Sequence, residues 1–182
     1  ALSQMNTVKT AMTRKAAILI EKGFNFKDAT EMMEDLKSAG VGFDVVSTYM
    51  GIVTASCGSE LEASKNHFTT GSVLYDAVYV PGGRERIDTM MLNGNFLHFV
   101  NEAFMHCKTV GASNEGVDLL QVSAIKDIAL ADPDTKSSLI TESGVVTIRN
   151  TSDTTTFNQE FIKNIAEHRH WTRQNQKGMV PA

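Results

Sequence analysis

The segment from Thr109 to Leu120 contains an arrangement that could position a catalytic nucleophile. An apolar run ends at Ser113, a sharp turn follows, and a helix is predicted to start near Gly116. Many α/β enzymes mount an attacking serine or cysteine at the apex of such a strand–turn–helix elbow. Here the apex residue is Asn114, whose side chain tolerates the positive φ of the turn but supplies no nucleophile. The sequence thus predicts an enzyme-like elbow that lacks its attacking group.

The neighbouring carboxylate, Glu115, has two interpretations. In a polar cleft it would act as a general base or bind a small polar molecule. Alternatively, it is a first-turn carboxylate that the helix dipole stabilises. The second interpretation is favoured, because a functional carboxylate needs a polar cleft that the sequence does not reveal.

The remaining cysteines and histidines do not form a recognisable site. Cys57 and Cys107 give neither a disulfide framework nor a zinc-binding spacing. Cys107 lies on an apolar helical stripe, which predicts a small buried residue rather than a redox sensor. Cys57 lies beside Gly58 in a predicted loop, and nothing near it predicts a lowered thiol pKa. His98 and His106 are two helical turns apart, too far to share one metal ion. We therefore predict no cofactor and no metal ion in this segment.

Alternating strands and helices are predicted to position the elbow. Short apolar runs bounded by glycine or proline predict buried strands, and apolar residues spaced three and four apart predict helices. Helices are expected to start near Asp28 and Asn95, and a closing helix spans Phe157 to Ala166. The stretch from Gly51 to Ser72 predicts short strands or a hairpin. The predicted strands are Lys15 to Ile20, Val41 to Ser47, Tyr75 to Val80, the run that leads into the elbow, and Gly144 to Ile148.

This alternation predicts an α/β fold with a mainly parallel sheet and helices on both faces. The carboxyl ends of parallel strands meet at one crevice, where ligands usually bind. Three segments are expected to converge there, namely Glu21 to Phe26, Pro81 to Glu85, and Ser113 to Gly116. Topology alone therefore marks this crevice as the candidate site.

Composition limits the classes of function. The 182 residues suffice for one domain with its own core, and 42% hydrophobic and 21% charged residues are typical of a globular protein. The net charge is −4 and the basic residues are scattered, which argues against nucleic acid or an anionic membrane as a partner. No apolar run is long enough to span a bilayer. The chain starts with Ala1 rather than methionine, which indicates a fragment or a processed product.

Several motifs together resemble a known family. The string from Tyr75 to the Pro-Gly-Gly ending at Gly83, followed by the elbow, resembles the PfpI-type branch of the class I glutamine-amidotransferase-like superfamily. Within that branch, Glu102 to Ala112 and the final His168 to Trp171 resemble the carboxy-terminal domain of large-subunit catalases. The resemblance implies a flavodoxin-like three-layer sandwich over residues 15–172. It leaves residues 1–14 as a linker or amino-terminal tail and 173–182 as a carboxy-terminal tail.

The resemblance also indicates what the elbow has lost. Active members of the superfamily carry a cysteine at the elbow, often followed by a histidine, and an acidic residue after the first strand. This chain has Asn114 and Glu115 at the elbow, and its acidic position falls near Asn25. Because an amide cannot replace a thiolate, the resemblance implies a vestigial site with no catalytic residue. In the catalase family, haem and peroxide chemistry belong to a separate amino-terminal core.

The expected function is that of a non-catalytic accessory domain of a large-subunit catalase, with ATP-independent holdase-type chaperone activity. The pairs Met32-Met33 and Met90-Met91 would offer an adaptable apolar surface, although one member of each pair is expected to be core. Two alternatives remain: a structural module that stabilises the catalase tetramer, or a residual small-molecule site at the elbow. Expected partners are the catalase core, neighbouring subunits and unfolded client proteins. The sequence leaves open whether the parent is cytoplasmic or secreted.

Overall fold

The fold is built around one mainly parallel sheet. The computed structural model describes residues 8–83, 88, 90–134 and 138–174. The strands are β1 (Lys15–Leu19), β2 (Gly42–Ser47), β3 (Gly51–Thr54), β4 (Glu60–Ala63), β5 (Lys65–Asn66), β6 (Ala77–Val80), β7 (Thr109–Ser113), β8 (Ile140–Glu142) and β9 (Val145–Ile148). Seven of them form a sheet in the order β5-β2-β1-β6-β7-β9-β8, in which β8 alone runs antiparallel to its neighbour. The α/β fold with a mainly parallel sheet is therefore confirmed.

Helices cover both faces of this sheet. Among the described residues, the main helices are α1 (Phe26–Ser38), α2 (Gly94–Met105), α3 (Gly116–Val122) and α4 (Thr155–Ala166), and there is a turn of 3-10 helix at Ser72–Leu74. The apolar stripes of α2 and α3 pack on one face of the sheet. Those of α1 and α4 pack on the other, where Met32 and Phe161 are fully buried. The domain thus has two hydrophobic cores of its own, one on each side of a central sheet.

The ends of two helices differ from the prediction. Asn25, not Asp28, caps α1, because its side-chain oxygen accepts a hydrogen bond from the Asp28 backbone N–H at 3.2 Å. Asn93, not Asn95, caps α2 and accepts from the Asn95 backbone N–H at 3.0 Å. In both cases two nearby polar residues could have capped the same helix. The earlier residue of each pair has the extended backbone that a cap requires.

The hairpin predicted between Gly51 and Ser72 is present. Strands β3 and β4 pair antiparallel, and β5 then joins the edge of the main sheet beside β2. Within the described part of the chain, no helix combines the length and apolarity that crossing a lipid bilayer requires.

The methionine pairs do not provide an open apolar surface. Met32 and Met90 are buried in the two cores, whereas Met33 and Met91 are partly buried against them. This matches the simpler expectation that one member of each pair is core. The exposed large apolar side chains are other residues, among them Tyr49, Ile52, Val73 and Leu74.

Candidate functional site

The elbow has the predicted backbone. Strand β7 ends at Ser113, Asn114 has a φ of 48°, and α3 begins at Gly116. The backbone N–H of Asn114 donates to the Ile148 carbonyl at 2.7 Å, which fixes the turn against the end of β9. The left-handed conformation that the sequence predicted for the apex is therefore observed, and asparagine tolerates it better than most residues.

The Asn114 side chain is tied at both ends. Its Nδ2 donates to Asp28 Oδ2 at 3.0 Å, and its Oδ1 accepts from the Thr151 backbone N–H at 3.2 Å. The amide thereby joins α1 to the loop that follows β9. The Asn114 amide thus cross-links α1 and this loop across the elbow.

Asp28 is the carboxyl group that lies against the elbow. Its side chain is almost fully buried, and its Oδ2 also accepts from Ser113 Oγ at 2.8 Å. The Tyr79 hydroxyl lies 2.8 Å from the same Ser113 oxygen. Burial raises the pKa of Asp28, and the nearby Glu115 charge adds to this, although the hydrogen bonds from Asn114, Ser113 and the Gly82 backbone oppose it.

The sequence interpretation placed the acidic position near Asn25 and missed Asp28. A signal was available, because Asp28 precedes Met32 and Leu36 at steps of four residues. That spacing puts all three on the buried face of α1, so an aspartate there needs hydrogen-bond partners inside the protein. Asn25 instead caps α1 and lines the rim of the cleft.

Glu115 contacts the segment after β6. Its Oε2 accepts from the Gly83 backbone N–H at 3.1 Å. A Cβ at Gly82 would lie 2.8 Å from this oxygen and 3.2 Å from Asp28 Oδ2. Both carboxyl groups therefore lie next to Gly82. The Glu115 side chain makes no capping bond to its own helix. Of the predicted segment Pro81 to Glu85, the last two residues lie outside the described part of the chain.

A polar cleft of about 500 Å³ opens beside the elbow. It brings together the three residues that the sequence singled out, Asn25, Asn114 and Glu115, whereas Asp28 lies buried beneath them. No cysteine or histidine is found among the described residues that line it, so no activated thiol or imidazole base is available there. The other lining residues are Pro133, Arg149, Asn150, Thr151 and Ser152.

Replacing Asp28 by asparagine should change how stability depends on pH. Because the folded-state pKa of Asp28 is raised, its proton stabilises the fold fully below the ordinary aspartate pKa of about 3.9, and this contribution is lost as the pH rises through the raised pKa. We therefore expect the stability advantage of the wild type over Asp28→Asn to shrink from acid towards neutral pH. Urea unfolding at a series of pH values measures it, with the exposed Glu34→Gln on the same helix as control. Parallel curves for wild type and Asp28→Asn would contradict the prediction.

The other candidate groups lie away from the elbow. Cys107 is fully buried, as predicted, but it does not lie on the helical stripe, because α2 ends at Met105 and Cys107 has a φ of 58° in the turn that follows. Cys57 is exposed, but the prediction of an ordinary thiol was wrong, because hydrogen bonds from Ser59 lower the pKa of Cys57. Across the residues that the structure describes, no three histidine, cysteine or acidic side chains are grouped closely enough to hold a metal ion.

The profile of the C-terminal domain found in long catalases matches residues 12–175. This chain belongs to that family. Catalase-2 of Bacillus subtilis (strain 168) is 43% identical over 174 residues, which are 96% of this chain and 23% of that protein. The catalase of Alkalihalophilus pseudofirmus is 34% identical over 173 residues, 95% of this chain and 23% of that protein. The catalase C-terminal domain thus spans about a quarter of the length of these relatives.

Solved structures show the fold of this catalase C-terminal domain. Drosophila melanogaster DJ-1beta superposes with a TM-score of 0.78 at 14% identity, over 94% of this chain and all of that one (100%). A ThiJ/PfpI domain protein from Brachyspira murdochii gives a TM-score of 0.77 at 16% identity, over 85% of this chain and 97% of that one. These likenesses confirm the flavodoxin-like sandwich of the PfpI type, and at such identities they extend to the fold alone.

Proposed function

We propose that this chain is a non-catalytic accessory domain of a long catalase, and that it acts as an ATP-independent holdase. The observation that carries the first part is Asn114, whose amide takes the apex of the elbow and bonds to both Asp28 and Thr151. The position that would hold an attacking group is filled by a structural cross-link. The parent enzyme would decompose hydrogen peroxide with haem held in a separate core.

The domain alone should show no catalysis. We expect no hydrolase, amidase or methylglyoxal-converting activity, because no nucleophile stands at the elbow. We also expect added haem to give neither a stable Soret complex nor peroxide turnover above that of free haem. Any elbow-dependent activity would disappear in Asn114→Ala, so a wild-type rate that this variant removes would contradict the proposal.

A compact apolar patch supports the holdase part. Tyr49, Met50 and Ile52, which we call the carboxyl-edge patch, are 77%, 62% and 64% exposed. They follow β2 at the end of the sheet that also carries the elbow. Exposed aromatic and thioether side chains grouped within a few residues suit contacts with varied apolar segments.

The carboxyl-edge patch stands on a fixed base. The Glu21 carboxylate accepts from Ser47 Oγ at 3.0 Å and from the Thr48 backbone N–H at 2.6 Å, which anchors the turn ahead of the patch. On β3, Val53 points into the core while Ile52 points outward, as strand alternation requires. The patch side chains are therefore exposed while their neighbour Val53 stays packed in the core.

The net charge of the chain is also consistent with a holdase. The net charge of −4 would keep complexes with clients soluble. The sequence contains no nucleotide-binding loop, so a passive holdase is the mechanism that it supports. Client binding would be driven by apolar burial and should weaken little with added salt.

Light scattering of a heat-denatured client tests the holdase. The domain should reduce scattering well below the level found with an equal mass of an inert acidic protein. Protection no better than this control would overturn the holdase. Met90 and Met91 are unsuitable test positions, because Met90 is buried in the core and its loss would destabilise the domain.

A second candidate is a structural module that stabilises the catalase tetramer. Large apolar side chains that are exposed outside the carboxyl-edge patch favour this role, because subunit contacts would cover them. A weaker third candidate is a small-molecule site in the polar cleft beside Asn114.

A further inference from the structure

The end of the sheet opposite the elbow forms a separate surface. We call it the amino edge, the end at which β1, β2, β6, β7 and β9 begin. The segments that precede these strands are grouped there by the parallel arrangement. The elbow, the polar cleft and the carboxyl-edge patch all lie at the other end.

The first and last described segments of the chain both lie at the amino edge. The Thr13 backbone N–H donates to the Gly40 carbonyl at 3.0 Å, just before β2 begins. At the other terminus, the His170 backbone N–H donates to the Cys107 carbonyl at 2.7 Å, and its Nε2 lies 3.1 Å from Thr109 Oγ1 at the start of β7. A polypeptide joined to the first described residues would therefore meet the domain at this end.

The amino edge is also rich in exposed apolar side chains. Met12 precedes β1, Val73 and Leu74 precede β6, and Trp171 follows α4. Val8, Met12, Val73 and Leu74 are 82%, 62%, 72% and 62% exposed, and Trp171 is about half exposed. Exposed apolar side chains grouped at one end of a sheet are typical of a surface that another folded domain covers.

Two buried cations lie behind this surface. Lys108 Nζ donates to the Ser72 carbonyl at 2.7 Å, and burial lowers the pKa of Lys108 to about 8. Arg173 lies over the Phe104 ring at 4.4 Å and donates to the Lys108 carbonyl. Its Nε and Nη1 have no hydrogen-bond partner among the described residues. Contacts within the domain hold both side chains beneath the apolar residues of the amino edge.

We propose that the amino edge is the surface that packs against the catalase portion of the same long polypeptide. The inference rests on the proposed accessory function and names the face that carries it out. The occupant follows from the family, since this domain makes up 23% of Catalase-2 of Bacillus subtilis and is the C-terminal part of long catalases. Most of such a chain lies outside this domain and, on its amino-terminal side, joins it at the amino edge. The carboxyl-edge patch would then stay open to clients.

Hydrogen–deuterium exchange tests this assignment. Exchange of the 182-residue chain is compared with exchange of the same residues within the full-length catalase. We expect backbone exchange at residues 8–14, 72–76 and 168–174 to slow by about tenfold or more in the full-length protein, while residues 48–54 stay unchanged. The double variant Val73→Ser/Leu74→Ser should cancel most of this protection. Leu92→Ser, at 90% exposed, is the matched control and should preserve it.

The outcomes separate this inference from the proposed function. Protection at residues 48–54 instead of the amino edge would overturn the inference and leave the accessory role intact. No protection anywhere would overturn both the inference and the structural-module candidate. A loss of protection in Leu92→Ser equal to that in Val73→Ser/Leu74→Ser would also overturn the inference. The holdase is judged separately, by scattering.

Discussion

Replacing Gly116 by alanine should destabilise the domain more than any other single change at the elbow. A Cβ at this position would lie closer than 3.0 Å to the carbonyl oxygens of Val80 and Pro81. Both are backbone atoms at the end of β6, so neither can move aside as a flexible side chain would. We expect a loss of about 3 kcal/mol, which for a domain of this size lowers the Tm by about 6–12 °C.

Gly94 provides the matched control. Like Gly116, it is the first residue of a helix, but a Cβ there would meet nothing within 4 Å. Alanine at Gly94 should therefore be neutral or stabilise by up to about 0.5 kcal/mol. Thermal unfolding of the two variants checks the pair. Equal effects would show that helix α3 does not depend on close approach to β6.

Replacing Asn114 by alanine should also destabilise the domain strongly. Alanine at a φ of 48° costs about 1 kcal/mol, and the bonds to Asp28 and Thr151 contribute about 1 kcal/mol each. We expect a total loss of about 2–3 kcal/mol in the free energy of unfolding, measured with urea. The backbone strain of alanine alone would cause a loss of only about 1 kcal/mol.

Asn114→Gly separates the two contributions. Glycine adopts the left-handed conformation freely but restores neither hydrogen bond. It should therefore destabilise less than alanine by about 1 kcal/mol, while remaining less stable than the wild type. A glycine variant as stable as the wild type would mean that the amide bonds contribute nothing and that the apex is merely a turn.

The sequence was sufficient for the central parallel strands, the four helices and the elbow, but it missed the short antiparallel edge strand β8. Buried parallel strands are short continuous apolar runs, so β1, β6 and β7 stood out without any three-dimensional information. The positive φ of Asn114 followed from the strand–turn–helix pattern and from the residue types that tolerate it. These features depend on local sequence, which explains why they were predictable.

The sequence was not sufficient for the contacts that define the site. Asp28 meets Ser113 and Asn114 across 85 and 86 residues of chain, so their pairing depends on the relative positions of α1 and β7. Local spacing could show that Asp28 is buried, but not which groups it contacts. The same holds for the apolar surface, because the sequence predicted it at the methionine pairs whereas Tyr49 and Ile52 are among the side chains that are exposed.

The proposed holdase would bind unfolding polypeptides through the carboxyl-edge patch of this domain. The most direct measurement is light scattering of a heat-denatured client in the presence of the wild type, Tyr49→Ser/Ile52→Ser and the exposed control Leu92→Ser. We expect the wild type and Leu92→Ser to suppress aggregation equally, and the double variant to lose most of its protection while its Tm is unchanged. A wild type that protects no better than an inert acidic protein, or a double variant that protects fully, would contradict this proposal.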